Sequence, residues 1–198
     1  MTEHSKSDLK RLHILETGRA LVVRHGFGGV GIARILKECG IPKGSFYYYF
    51  ESKEEFGKAL LDHYVETYLA RFDTLIAGPG AARDKLDRFW QAWLAQAGAE
   101  GIASQCLVVK LGAEVADLSD DMRLILDTGI SELVGRIADL LRAGAEEGSI
   151  RRFDAPEAVA RMLYAKWLGA AMLAKLARSQ APLQQALAET TDQLSRTS

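Results

Sequence analysis

The chain has 198 residues, 48% of them hydrophobic, and a formal net charge of −1. That length allows a sizeable core in one or two small domains, and no apolar run reaches the roughly twenty residues a membrane-spanning helix needs. The charge is uneven: residues 1–53 carry nine Lys+Arg against five Asp+Glu (+4), and residues 54–198 carry sixteen against twenty-one (−5). A basic amino-terminal part on an acidic body suits a protein that meets a polyanion with one end.

In chain order, the pattern predicts helices and no strands. A first helix over about Ser7–His25 has Leu9, Leu12, Ile14, Leu15, Ala20 and Leu21 as its apolar positions, and Gly26, Gly28 and Gly29 break it. A short second helix over about Gly31–Cys39 carries Ile32, Ile35 and Leu36 inward. Gly40 ends it, and Pro42 is compatible with the start of the next helix, over Lys43–Phe50. Two short helices joined by a tight turn and braced by a longer one describe a helix-turn-helix.

Within the third helix, Phe46 and Phe50 are four apart and share an inward face. Lys43, Gly44, Ser45, Tyr47, Tyr48 and Tyr49 are left pointing largely elsewhere. Cations, hydroxyls and phenols on so short a helix serve as donors to phosphate oxygens and contacts to base edges. Double-stranded DNA is the expected partner.

Ser52 with Glu55 forms a capping box that starts a long fourth helix, which ends near Ile76 before Ala77-Gly78-Pro79-Gly80. Further helices are expected over about Ala82–Gly98, Ala103–Val115, Ser119–Glu147, Ala155–Arg178 and Pro182–Thr191. Ser119 is the expected N-cap of its helix, with Asp120 and Asp121 in the first turn. Met162–Leu176 is apolar nearly all round, interrupted chiefly by Lys166 and Lys175, which predicts burial on several sides and a subunit interface. Phe72, Phe89, Trp90, Trp93, Tyr164 and Trp167 could line a ligand cavity, although aromatics at helical spacing more often form core.

Cys39 and Cys106 make neither a disulfide framework nor a metal site, and the polar amino terminus lacks a secretory apolar region. A reducing cytoplasm is the expected compartment, with no cofactor, no metal and no membrane. The four histidines (His4, His13, His25, His63) lie in the amino-terminal third, with no Ser-His-Asp arrangement and no metal-ligand cluster. Gly26-Phe27-Gly28-Gly29 is not a phosphate loop, since no strand precedes it and no Gly-Lys-Ser follows. The chain is therefore expected not to be an enzyme. A thiol peroxidase using Cys106 is the one catalytic alternative.

The run Lys43-Gly44-Ser45-Phe46-Tyr47-Tyr48-Tyr49-Phe50, with Ser52-Lys53-Glu54-Glu55-Phe56 after it, resembles the helix-turn-helix of the TetR family of transcriptional regulators. The resemblance implies an all-α fold, with a three-helix DNA-binding domain over residues 1–53 and a helical ligand-sensing and dimerisation domain over 54–198. It also implies a homodimer on a palindromic operator. DNA contacts would come from Lys43, Gly44, Ser45, Tyr47 and Tyr48, with Tyr49 and Lys53 mainly on phosphates. Gly31 stands where family members usually place a capping Thr or Ser, so any side-chain contact there is lost.

Residues Gln105–Arg123, with Trp167-Leu168-Gly169-Ala170 and Ala174-Lys175, resemble an electrophile-sensing repressor of the same family. The resemblance implies a redox and electrophile switch formed by Cys106 and Lys175, with an electrophile, an oxidant or a non-covalent small ligand as inducer. By position alone Cys106 is a small buried apolar residue and Lys175 a snorkelling side chain. Chemically, a cation beside a thiol favours the nucleophilic thiolate, and a neutral amine can trap an oxidised sulfur as a sulfenamide. Lys175 follows Leu168, Ala171 and Met172 on an apolar stripe, where an ammonium is costly unless it is paired.

Overall fold

A computed structural model describes residues 6–95 and 106–195. Among these the chain is helical throughout: α1 Lys6–His25, α2 Ile32–Cys39, α3 Lys43–Tyr49, α4 Lys53–Ile76, α5 Ala82–Ala95, α6 Leu107–Leu118, α7 Asp120–Glu147, α8 Pro156–Ala177 and α9 Ala181–Leu194. The all-α expectation therefore holds. The expected helix start at Ala103 and the expected extension of α5 to Gly98 lie outside the described residues. The last helix runs on to Leu194 rather than Thr191, because buried Thr190 and Leu194 carry its inner face further than the sequence pattern suggested. None of the described helices is long and apolar enough to cross a membrane.

The chain forms two compact units. One comprises residues up to Thr67 together with Lys110–Asp127, and the other comprises Tyr68–Val109 and Thr128 onward. The first unit's core gathers Ile14, Leu15 and Val22 of α1, Ile35 of α2, Phe46 and Phe50 around α3, and Phe56, Leu60 and Leu61 of α4. Phe46 and Phe50 have ring centroids 5.3 Å apart, and each lies within 5.6 Å of Phe56. The i, i+4 pair thus anchors α3 as its spacing required.

The turn between α2 and α3 is fixed by backbone geometry. Gly40 takes a left-handed conformation (φ 64°, ψ 31°), its N–H reaches the Lys37 carbonyl, and the Ile41 N–H reaches the Leu36 carbonyl at 3.2 Å. This paired closure satisfies orphan carbonyls of α2, and glycine adopts it without steric cost. Gly31 precedes α2 with no side-chain cap, as expected. The serine caps of the longer helices are in place: Ser52 Oγ accepts from the Glu55 N–H at 3.0 Å, while the Glu55 carboxylate pairs with Lys58, and Ser119 Oγ accepts from the Met122 N–H at 3.4 Å. Ser119 also donates to Glu54 at 2.7 Å.

The second unit is built on aromatic packing. Trp90 of α5 and Trp167 of α8 stack with centroids 4.8 Å apart and planes at 11°. Phe72 meets Phe89 edge-on at 4.8 Å, and Trp93 meets Tyr164 at 6.3 Å. Trp167 Nε1 donates to Thr190 Oγ1 at 3.1 Å, joining α8 to α9. The six aromatics suggested as cavity lining therefore pack largely on one another.

The α8 helix is two-faced. Leu163, Tyr164, Trp167, Ala170 and Ala171 are buried, while Met162 (67% exposed), Met172, Leu173 (58%) and Leu176 stand in the open. Burial on several sides, expected from the sequence, is thus not met within one subunit.

Candidate DNA-binding surface and thiol site

The surface of α3 separates as its sequence demands. Phe46 is enclosed, whereas Lys43 and Gly44 are exposed, Ser45 is half-buried, and Tyr47 and Tyr48 face outward. Tyr48 is 77% exposed, with its ring and hydroxyl free to meet a partner. Lys43 Nζ lies 5.8 Å from the centre of the Tyr47 ring, so the cation and phenol form one patch. The α2–α3 turn ahead of this patch and the two phenylalanines beneath it leave α3 little freedom to reorient.

Two predicted contacts sit differently from the rest. Tyr49 is half-buried, with its phenol 3.1 Å from Ser7 Oγ on α1 and its ring edge-on to Tyr48 at 4.9 Å. It follows Phe46 by three residues and so lies on the flank of the inward face, bracing α3 against α1. Lys53, half-buried at the start of α4, holds its ammonium 4.8 Å above the Phe27 ring.

Cys106 immediately precedes the first residue of α6 and is 1% exposed. Tyr68 and Tyr164 lie near it. Burial pushes both phenols well above the usual range, and the nearby Cys106 adds to the shift. They therefore remain protonated beside the thiol. At Cys39 burial raises the thiol, outweighing a hydrogen bond with Thr17.

Lys175 is exposed in the last turn of α8, eleven residues after Tyr164, or about 16 Å along the axis at the usual helical rise. The apolar stripe it shares is open in the subunit, so the desolvation cost expected from the sequence does not arise there. Of the described histidines, His63 pairs with Glu16 at 3.0 Å and His25 accepts from Arg34 at 2.8 Å. His13 lies 3.4 Å from the Cys39 carbonyl. Among the described residues no group of His, Cys, Asp and Glu could hold a metal ion.

One functional candidate escaped sequence reasoning. Glu114 of α6 accepts from the Phe27 N–H at 3.1 Å and from the Gly28 N–H at 2.6 Å, in the loop between α1 and α2. A carboxylate 86 residues from its partner carries no local signal. The cluster of glycines it meets was the only hint.

A short helix bearing a cationic and phenolic face, locked to its neighbour by a tight turn, defines a helix-turn-helix DNA-binding protein. Residues 14–60 match the model described as bacterial regulatory proteins, tetR family, and residues 82–190 match that described as tetracyclin repressor-like, C-terminal domain. The HTH-type transcriptional repressor NemR of Escherichia coli (strain K12) is 41% identical over 189 residues, spanning 95% of this chain and 94% of that protein. The crystal structure of E. coli NemR in its reduced form covers 96% of this chain and 98% of its own, with a TM-score of 0.90 and 40% identity. A putative transcriptional regulator of the TetR/AcrR family superposes with a TM-score of 0.86 at 49% identity, covering 95% of this chain and 100% of its own. The chain belongs to the TetR family and is a DNA-binding transcriptional repressor of that kind, not an enzyme.

Proposed function

We propose that the protein acts as a homodimer on a palindromic operator and is released from it when an electrophile or oxidant modifies Cys106. Residues 1–53 supply the operator contacts, through Lys43, Gly44, Ser45, Tyr47 and Tyr48, with Tyr49 and Lys53 toward phosphates. Residues 54–198 supply dimerisation and regulation. Two recognition helices then lie about 34–36 Å apart, one per successive major groove. The exposed apolar stripe of α8, Met162 to Leu176, supports a dimer seam that also draws on α9.

The sensing step rests chiefly on Cys106, a thiol at the head of a twelve-residue helix with two protonated phenols beside it. A relative crystallised in a form named as reduced fits a thiol that changes oxidation state. With a Michael acceptor, the thiolate adds to the β-carbon and the α-carbon takes a proton. With hypochlorous acid, the thiolate takes chlorine and releases hydroxide. Attack of an amine on that sulfur, with loss of chloride and of a proton, gives a sulfenamide, and Lys175 is the amine that the sequence resemblance implies. Either product alters the start of α6.

The test uses operator binding and mass spectrometry on the same sample. Cys106→Ser is expected to bind operator as the parent does and to resist release by N-ethylmaleimide and hypochlorite. Lys175→Gln is expected to keep the N-ethylmaleimide response and lose the sulfenamide. A Cys106→Ser protein released normally by both reagents would remove the thiol from the mechanism. Release of that variant by a neutral metabolite alone would favour a non-covalent ligand, and peroxide turnover by the parent with a thiol reductant would favour the peroxidase alternative.

A further inference from the structure

The glycine-rich segment after α1, which lacks the pattern of a phosphate loop, has a use within the fold. Phe27 and Gly28 aim consecutive N–H groups at one target, and both oxygens of Glu114 occupy it, at 3.1 and 2.6 Å. Such a concave pair of donors suits an anion, and charge-assisted bonds of this kind are roughly twice as strong as neutral ones. The glycines make room for the carboxylate. Gly26 has φ +77°, and a Cβ there would stand 3.1 Å from Glu114 Oε2; a Cβ on Gly28 would stand 3.1 Å from Oε1. One turn earlier on α6, Lys110 donates to the Val23 carbonyl in the last turn of α1 at 3.4 Å. Two charged side chains of α6 therefore hold the end of α1 and the loop that leads into α2.

We infer that Glu114 is the positioning residue that passes a change in α6 to the recognition helix. The α1–α2 loop sets where α2 begins, and the Gly40 turn fixes α3 to the end of α2. A shift of α6 that drags Phe27 and Gly28 is thus delivered to α3 with little slack. The inference rests on the reading that Cys106, at the head of the same helix, receives the signal. It assigns Glu114 no contact with DNA.

Full-length parent, Glu114→Gln and Gly28→Ala are compared. The Gln side chain keeps one acceptor and turns an NH₂ toward the second N–H. The added Ala methyl crowds Oε1 from the opposite side, so the two variants damage one contact from both ends. After N-ethylmaleimide the parent is expected to lose operator affinity about tenfold or more, and each variant less than about threefold. The double variant is expected to lose no more coupling than either single one. Hydrogen exchange supplies a readout that needs no thiol chemistry: operator should slow exchange of the α6 amides in the parent and leave them nearly unchanged in Glu114→Gln. If alkylation fails to release the parent, the Cys106 reading falls and the exchange result alone decides the role of Glu114. Equal slowing of α6 by operator in parent and variant would overturn that role.

Discussion

Lys43 and Tyr48 share a helix of seven residues but should fail in different ways when removed. Lys43 is a point charge, so Lys43→Ala is expected to weaken binding to all DNA sequences alike and to lower the salt slope of log K by about 0.9. Tyr48 offers a ring and a hydroxyl, and Tyr48→Ala should reduce discrimination between operator and random DNA with a smaller change of slope. Binding isotherms at several salt concentrations separate the two; an unchanged slope in Lys43→Ala would remove that lysine from the phosphates. At this scale the sequence was most readable where partners are close in the chain. Phe46 with Phe50, Ser52 with Glu55 and the Gly40 turn all act within five residues, and each is found in place. The contacts of Glu114 with Gly28 and of Tyr49 with Ser7 left no local signal because the partners lie 86 and 42 residues apart.

Among the elements, α1 and α4 come unusually close. A Cβ on Gly18 would stand 2.3 Å from Phe56 Cζ, and Phe56 is fully buried, so its ring has little room to retreat. Gly18→Ala gains helix propensity but overpacks the core, and a net destabilisation of about 1–3 kcal/mol is expected in urea unfolding. A more stable variant would mean that the ring repacks freely. Periodicity located the described helices well, since each has an apolar stripe. It was less informative about α8, whose residues are apolar on two faces for two reasons. One face packs on α5 and α9 aromatics and aliphatics, and only coordinates separate it from the face left open.

For the whole molecule, the proposed dimer puts that open face at its seam. Leu173→Glu places a charge in the middle of the stripe and is expected to give a folded monomer in sedimentation, with operator binding weakened because two half-sites are no longer linked. A dimer of unchanged stability would move the seam elsewhere on the surface. The division of residues between the two units could not be read from the sequence. Lys110–Asp127 belongs with the amino-terminal unit although it follows more than forty residues of the other, a return of the chain that local patterns do not encode.

The stacked indoles of Trp90 and Trp167 have an optical consequence. The chain has three tryptophans, and Trp90, Trp93 and Trp167 all lie buried in the same unit, while the unit with the recognition helix has none. Ultraviolet emission excited near the red edge of absorption therefore comes wholly from the regulatory part. Two indoles 4.8 Å apart and nearly parallel are close enough for their excited states to mix, which makes that emission sensitive to small changes in their spacing. Without any added dye, the molecule carries a built-in optical gauge of one half of itself.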